Sequence, residues 1–311
     1  MPKVGAHVSA SVSLELAFQR AKQINADCFQ IFISPPQQWL KTRHPEDEVS
    51  AFLKAQKESG ISPNFIHGTY LINLGTQNKE HLKKSIDWLI YALNLAKDLE
   101  MQGVIFHLGS HKGVGFEAIK EQVIKSLGLI LKEVRGDGER GAPSSARSAV
   151  RTSDGAADRQ DPKRFKQPQL ILETSAGAGG NLGGNFRELG EILKQVDNPR
   201  LKICLDTQHV FASGYDVKSV LGLKDVLEEF EQEIGLENLA VIHANDSKVE
   251  YRSNRDRHEN IGEGFIGKEG FSNLINHPKL KDIPFILEVP GFAGNGPDLE
   301  NVQLLKSLVD K

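Results

Sequence analysis

Short apolar runs recur along the whole of this 311-residue chain, separated by longer amphipathic stretches. Within each run the apolar positions are consecutive, which is typical of parallel strands that are covered on both faces. The pattern predicts eight strands. They cover residues 4–8, 28–33, 64–67, 103–107, 169–173, 201–206, 239–243 and 284–288.

The stretches between the predicted strands have the spacing of helices. The clearest one places apolar side chains three or four residues apart on one face. They are Leu82, Ile86, Leu89, Ile90, Leu93, Ala96 and Leu99. Weaker patterns cover residues 13–24, 47–59, 116–134, 186–196, 217–234 and 270–275. Because strand and helix patterns alternate with short connections, the sequence predicts an α/β protein, a single (β/α)₈ TIM barrel over residues 1–311. A doubly wound open sheet is the alternative, but it does not require eight equivalent strands.

Residues 136–168 interrupt this alternation. The segment is rich in Arg, Ser, Ala, Gly and Asp, and apart from Val150 and Phe165 it offers almost nothing to a hydrophobic core. Its composition predicts a disordered surface insertion between the fourth helix and the fifth strand. Its mild basic excess leaves open a second role as a tether for nucleic acid.

The overall composition is that of a soluble globular protein, with 39% hydrophobic and 25% charged residues. No apolar stretch approaches the roughly 18 residues of a membrane span. A strand is predicted to begin almost at Met1, which leaves no room for a signal peptide, so we expect a cytoplasmic protein. Cys28 and Cys204 form no Cys-x-x-Cys pair, and we expect two buried free thiols. A net charge of −3 does not exclude DNA as a partner, because a local basic rim can suffice.

Most of the predicted strands end in a side chain that can ligate a metal. The strand-end residues are His67, His107, Glu173, Asp206, His243 and Glu288. Burying such groups is costly unless they are paired, hydrogen-bonded or bound to metal. The carboxyl ends of barrel strands meet on one face, where the active sites of these folds lie. We therefore expect the six side chains to converge on one site.

Three further residues belong to this candidate site. His209 lies three residues after Asp206, and Asp256 and His258 are spaced so that both point to one side of an extended loop. A zinc ion takes three or four protein ligands, so these nine residues suit three metals if one carboxylate bridges. Mixed His and carboxylate ligation favours Zn²⁺, with Mn²⁺ or Fe²⁺ as alternatives. Six positive charges against four carboxylates leave two, which suits a phosphodiester anion and a hydroxide.

The remaining histidines are assigned other roles. We expect His7, at the end of the first strand, to pack against the site or to hydrogen-bond to its ligands. His81 and His277 lie in surface contexts and are expected to be solvated.

Several strings around these residues resemble those of the endonuclease IV family, the tri-zinc endonucleases that act on apurinic or apyrimidinic DNA. Outside residues 136–168 the resemblance covers essentially the whole chain. One such string is His243-Ala244-Asn245-Asp246-Ser247, and the most specific ones are Leu205-Asp206-Thr207-Gln208-His209 and Asp256-Arg257-His258. The resemblance implies hydrolysis of the phosphodiester 5′ to an abasic site, leaving a 3′-hydroxyl and a 5′-deoxyribose phosphate. It also implies removal of groups that block 3′ ends.

The resemblance further assigns the ligands. It implies a first zinc on His67, His107 and Glu173, and a second on Glu173, Asp206, His243 and Glu288. The third zinc would then lie on His209, Asp256 and His258. Two carboxylates receive catalytic roles in this assignment. Glu173 bridges two metals, and Glu288 orients or deprotonates the attacking nucleophile as well as ligating.

An abasic nucleotide must leave the helix to reach a barrel mouth, and a wedge must then fill the gap. Tyr70 and Leu71, just past the third strand, match the residues that the family inserts. Gln37 and Trp39, after the second strand, match a segment that probes the minor groove, although some members carry Arg in place of Gln37. Arg257 is expected to contact phosphate. The expected partner is double-stranded DNA with abasic sites or blocked 3′ ends, bound by a monomer.

Two other functions remain as alternatives. A sugar isomerase or epimerase on the same barrel also uses strand-end histidines and carboxylates, but needs a single metal with about four ligands. A non-catalytic nucleic-acid-binding protein with structural zinc would normally be rich in cysteine, and this chain has two.

Overall fold

The structure is a computed structural model that describes residues 1–134 and 167–310. Its strands are β1 (Val4–His7), β2 (Phe29–Phe32), β3 (Asn64–His67), β4 (Gly103–His107), β5 (Gln169–Glu173), β6 (Leu201–Asp206), β7 (Leu239–His243), β8 (Asp246–Ser247), β9 (His258–Glu259) and β10 (Phe285–Leu287). Eight of them form a closed barrel in the order β1-β10-β7-β6-β5-β4-β3-β2, with all neighbours parallel. The predicted (β/α)₈ barrel is confirmed. The short strands β8 and β9 pair antiparallel outside it.

Helices connect the strands. They are α1 (Leu16–Gln23), α2 (Glu46–Ser59), α3 (Lys79–Asp98), α4 (Phe116–Lys132), α5 (Phe186–Val196), α6 (Thr207–Ser213), α7 (Val220–Glu233), α8 (Gly267–Ile275) and α9 (Leu299–Ser307). The sequence pattern predicted neither α6 nor α9. The side chains of α6 are buried around almost its whole circumference, so it lacks the one-sided apolar pattern on which helix prediction depends. Among the described residues, no helix is long and apolar enough to cross a membrane.

The predicted insertion at 136–168 lies outside the described residues, except for Gln167 and Pro168, which lead into β5. The predicted strand bounds were close. The structure shortens the strands predicted at 4–8, 28–33 and 284–288, and Glu288 follows directly after the end of β10.

The barrel interior consists of two layers with opposite chemistry. The lower layer is an apolar cluster to which seven of the eight strands or their flanks contribute: Cys28, Phe65, Ile105, Ile171, Cys204, Val241 and Ile286. On β1 the corresponding position is Gly5, where a Cβ would meet the backbone oxygen of Cys28. Because side chains of a strand alternate between faces, the residue two positions further along each strand also points inward.

These inward-facing residues, two positions after those of the apolar layer, form a polar layer at the carboxyl ends of the strands. Its members are His7, Gln30, His67, His107, Glu173, Asp206, His243 and Glu288. The helices pack on the outside of the sheet through the main hydrophobic core, in which Trp88, Phe29, Phe52 and Phe271 are among the largest buried side chains. The polar layer is therefore carried by the strands, next to the apolar layer inside the barrel and surrounded by the hydrophobic core between the sheet and the helices.

Candidate metal centre

The first group in the polar layer joins β3, β4 and β5. One carboxylate oxygen, Oε2 of Glu173, lies 3.2 Å from Nε2 of His67 and 3.5 Å from Nε2 of His107. One ligand atom from each of these three residues falls within 4.8 Å of the others. His67 and Glu173 are buried, whereas the side chain of His107 is 30% exposed and faces the barrel mouth.

The second group uses the other oxygen of the same glutamate. Nδ1 of His243 lies 3.0 Å from Oε1 of Glu173 and 3.2 Å from Oε2 of Glu288. Asp206 completes this group, with its Oδ2 atom 3.9 Å from the same nitrogen. Glu173 thus directs one oxygen to each of two neighbouring groups, which is the arrangement that a bridging carboxylate requires.

The third group forms where β6 meets α6. Asp206 is the N-cap of α6 and accepts a hydrogen bond from the backbone N–H of His209 at 2.9 Å, which fixes His209 in the first turn. Nε2 of His209 lies 3.3 Å from Oδ2 of Asp256, and Nε2 of His258 lies 3.4 Å from Oδ1 of the same carboxylate. Asp206, His209 and His258 each place one ligand atom within 4.8 Å of those of the other two. All nine residues predicted as ligands therefore lie in one continuous cluster.

Hydrogen bonds to the outer nitrogens orient these imidazoles. Nδ1 of His67 donates to the backbone oxygen of Gly68 at 2.8 Å, and Nδ1 of His209 donates to that of Thr174 at 2.9 Å. In a neutral imidazole, the nitrogen that does not donate carries a lone pair. Nε2 of both rings therefore faces the carboxylates and is the atom at which a metal ion would replace a proton.

The charges in the cluster depend strongly on one another. Burial opposes ionisation of Glu173, but the neighbouring His107 and His243 outweigh it and hold its pKa well below the usual range. Burial lowers the pKa of His209, but Asp206 and Asp256 raise it more, to about 10. Burial also opposes ionisation of Asp256, whose hydrogen bond with His209 nevertheless lowers its pKa to about 2. The carboxylates of Glu173 and Asp256 are therefore ionised at neutral pH and attract positive charge.

The donor set fits divalent metal ions. Four carboxylates and five imidazoles face one another with no lysine or arginine among them. Nε2 of His258 is buried, and no described residue hydrogen-bonds to it, although it points at Asp206 and Asp256. A buried nitrogen without a partner is costly, and a metal ion shared with those carboxylates would satisfy it.

Comparisons with known proteins agree with this geometry. The family model described as a xylose isomerase-like TIM barrel matches residues 18–308. A probable endonuclease 4 of Halothermothrix orenii is 37% identical over 305 residues, which are 98% of this chain and 99% of that protein. The chain belongs to the endonuclease 4 family. The predicted family and the predicted class of enzyme, an endonuclease, are therefore confirmed.

Solved structures extend the comparison. The crystal structure of endonuclease IV from Thermus thermophilus matches this endonuclease 4 family member with a TM-score of 0.79 at 30% identity, covering 99% of this chain and 98% of that one. A D-tagatose 3-epimerase-like protein matches with a TM-score of 0.67 at 18% identity, covering 98% of this chain and 96% of that one. The second likeness shows a shared barrel fold and nothing further.

The residues predicted to contact DNA lie around the mouth of the barrel in this endonuclease 4 family member. Tyr70 is 56% exposed, and its ring centroid lies 6.2 Å from that of His107 and 5.6 Å from that of Phe32. Its backbone N–H donates to the oxygen of Pro36 at 2.8 Å, which joins this loop to the one that carries Gln37. Gln37 is exposed. An exposed aromatic ring thus stands directly beside the first ligand group.

Other predicted contacts are more varied. Trp39 and Leu71 are half-buried, and Arg257 is exposed, with its guanidinium donating to the backbone oxygen of Asp256 at 2.6 Å. The prediction that His81 is solvated was wrong. Nε2 of His81 donates to the backbone oxygen of Leu71 at 2.7 Å, and its ring meets that of Trp39 edge-on. His81 therefore supports the loop that carries Tyr70 and Leu71.

Three polar residues around the cluster were not predicted from the sequence. Asn245 donates to Asp206 at 2.6 Å and accepts from the backbone N–H of Glu288 at 2.8 Å. The carboxylate of Asp246 accepts hydrogen bonds from backbone N–H groups between β9 and the start of α8, at Gly262, Gly264, Ile266 and Gly267. Gln30 contacts both His243 and Glu288. Asn245 and Asp246 lie in a string that resembles the family. Gln30 lies two residues after Cys28, as each strand-end residue of the polar layer lies two residues after a member of the apolar layer, and this spacing was the available signal.

Proposed function

We propose that this chain is a metal-dependent DNA-repair endonuclease that hydrolyses the phosphodiester 5′ to an abasic site. The products would be a 3′-hydroxyl and a 5′-deoxyribose phosphate, and the same centre would remove groups that block 3′ ends. The observation that carries the proposal is the single cluster of nine His and carboxylate residues, arranged as three groups that share Glu173 and Asp206.

The proposed cofactor is zinc, three ions per chain, with Mn²⁺ or Fe²⁺ as alternatives at some positions. The ligands would be His67, His107 and Glu173 for the first ion; Glu173, Asp206, His243 and Glu288 for the second; and His209, Asp256 and His258 for the third. When bound, the ions would lower the pKa of water and offset charge on the phosphodiester and the leaving oxygen.

Two carboxylates are suited to different tasks. Glu173 is fully buried and holds the groups together. Glu288 lies at the mouth with its side chain 14% exposed, one oxygen 3.2 Å from His243 and the other directed at Gln30. Burial opposes ionisation of Glu288, but His243 and His67 outweigh it and keep its pKa below the usual range. We propose that the ionised Glu288 orients the attacking nucleophile or accepts its proton.

Selectivity for abasic DNA would come from the rim. A ring that is exposed over one face of the site can enter the gap that a displaced nucleotide leaves. Tyr70 has this exposure, and Leu71 follows it on the same loop. We propose that Gln37 and Trp39 follow the minor groove beside this wedge and that Arg257 contacts phosphate. The proposed active form is a monomer, and the proposed location is the cytoplasm.

The alternative is a sugar isomerase or epimerase, since the barrel is common to both classes. A single-metal site of about four ligands would leave five residues of the cluster without a role: His67, His107, His209, Asp256 and His258. This excess of ligands favours phosphodiester chemistry.

Incubation with an end-labelled duplex that contains one abasic site tests the proposal. We expect one incision, directly 5′ to the lesion, with a 3′-hydroxyl that a DNA polymerase extends. An otherwise identical undamaged duplex should stay intact, and a chelator should stop the reaction until zinc is restored. Absence of incision by zinc-loaded protein, or cleavage of both duplexes alike, would contradict the proposal.

A further inference from the structure

Gln30 is the one uncharged amide in the polar layer of the barrel. It lies in the middle of β2 between Phe29 and Ile31, and it is fully buried. An amide inside a barrel must satisfy its oxygen and its nitrogen or lose free energy of folding. Both are satisfied here, and each contact is with a polar residue of the same layer.

The contacts link one imidazole to one carboxylate. Oε1 of Gln30 accepts a hydrogen bond from Nε2 of His243 at 2.9 Å. Nε2 of Gln30 donates to Oε1 of Glu288, and it also lies 3.1 Å from Nδ1 of His7. The reverse orientation of the amide would put its oxygen against the carboxylate of Glu288, so the surroundings permit one orientation only.

His243 is oriented in the opposite sense to His67 and His209. Those two rings donate from Nδ1 to backbone oxygens and direct Nε2 into the cluster. His243 directs Nδ1 into the cluster, at 3.0 Å from Glu173 and 3.2 Å from Glu288. Its outer nitrogen, Nε2, meets the side chain of Gln30 and not a backbone oxygen. The orientation of this ligand thus depends on a residue that can be changed by substitution.

We propose that Gln30 is a positioning residue: it keeps the proton of His243 on Nε2, so that Nδ1 is free to ligate, and it aligns Glu288 toward the same metal. The inference rests on the proposed metal-dependent function. Groups that hold metal ligands in this way typically change metal affinity or activity about 10- to 100-fold when they are removed.

Gln30→Met tests the proposal because it removes both amide interactions at nearly constant length. Gln122→Met is the matched control. Gln122 lies in α4, and its amide donates two hydrogen bonds, to the backbone oxygens of Leu74 and Thr76. The measurement is the rate at which zinc-loaded protein releases zinc to a coloured chelator, with kcat and KM on an abasic duplex alongside. We expect Gln30→Met to release part of its zinc about 10-fold faster or more and to lower kcat more than it raises KM.

Gln122→Met should release zinc at the wild-type rate even if it is less stable. Wild-type release and wild-type kcat in Gln30→Met would overturn the positioning role and leave Gln30 as packing. If wild-type protein retains no zinc at all, the proposed function itself fails, and this outcome is distinct from the first because it does not involve the variant.

A second measurement does not depend on the folding of any variant. Long-range ¹H–¹⁵N spectra of zinc-loaded wild-type protein with ¹⁵N-labelled histidine distinguish metal on Nδ1 from metal on Nε2. We expect His243 to carry its metal on Nδ1 and a proton on Nε2, whereas His67 and His209 carry theirs the other way round. A His243 ring with its proton on Nδ1 would overturn the proposal.

Discussion

Nε2 of His209 lies 3.3 Å from Oδ2 of Asp256, although the two residues belong to different elements. His209 lies in the first turn of α6 and is held by its cap Asp206 and by the backbone oxygen of Thr174. Asp256 lies on the loop between β8 and β9, and its side chain is 58% exposed. The third group is therefore complete only when this loop is in place.

Replacing His258 tests the part of the third group that lacks a hydrogen-bond partner. We expect His258→Ala to reduce cleavage of an abasic duplex by more than the roughly 100-fold that loss of an outer partner costs. The melting temperature of the chelated protein should change little, because the side chain is 19% exposed and its Nε2 atom has no hydrogen-bond partner among the described residues. His277→Ala, outside the cluster, serves as the control. Wild-type turnover in His258→Ala would refute its role as a ligand.

Replacing Tyr70 separates DNA binding from metal binding. Tyr70→Ala should weaken binding of an abasic duplex roughly 5- to 160-fold, since stacking of an aromatic side chain on a base contributes about 1–3 kcal/mol. The metal content should be unchanged, because the side chain is not a ligand. Fluorescence anisotropy with a labelled duplex measures the first quantity, and elemental analysis measures the second. Tyr70→Phe should keep most of the affinity, and unchanged affinity in Tyr70→Ala would rule out the wedge.

The metal-free protein should lose stability as the pH rises above about 6.5. The pKa of His209 is about 10 when the protein is folded, against 6.5 for an exposed imidazole, so the native state binds the proton more tightly. Its contribution is complete below pH 6.5 and is lost progressively toward pH 10. Urea unfolding of chelated protein at pH values of about 6.5 and about 8.5 measures the difference.

Asp256→Asn is the matched variant for this pH effect, because Asp256 is one of the groups that raise the pKa of His209. Between pH values of about 6.5 and about 8.5, the free energy of unfolding of this variant should fall less than that of the wild-type protein. If the urea midpoint of the chelated wild-type protein stays constant or rises with pH, the coupling between His209 and Asp256 is contradicted.

Val12 carries backbone strain at the rim of the barrel. It is a β-branched residue with φ of 80°, and its side chain is 93% exposed, so packing does not compensate for the left-handed backbone. Val12→Gly should stabilise the protein by up to about 1 kcal/mol, because glycine adopts this conformation at no steric cost. Val12→Ala keeps the Cβ atom, so it should increase the stability of the protein much less. Equal urea midpoints for wild type and Val12→Gly would show that the strain is absent.

The fold and the convergence of the nine His and carboxylate side chains were predictable from sequence for a physical reason. A buried run such as Ile203-Cys204-Leu205 that ends in Asp206 breaks the usual exclusion of charge from barrel interiors, and the break is visible without a structure. The division into three groups is different, because the residue types alone suited three metals but did not say which side chains belong together. That assignment came from the resemblance to the family, and the distances around Glu173 now support it.

Other features escaped prediction because they carry no local pattern. Gln30 is a neutral side chain within an apolar run, and its importance depends on partners that are far away in the chain, His243 and Glu288. α6 is short and buried on nearly all sides. His81 was taken for a surface residue because its acceptor, the backbone oxygen of Leu71, cannot be read from a helical pattern.

The number of metal ions per chain tests the central claim most directly. Protein stripped with chelator, reloaded with zinc and freed of excess metal should contain three zinc ions per chain by elemental analysis, and His258→Ala, which removes one ligand of the third group, should contain about one fewer. A wild-type content of one ion per chain would contradict the three-metal centre and favour the single-metal isomerase.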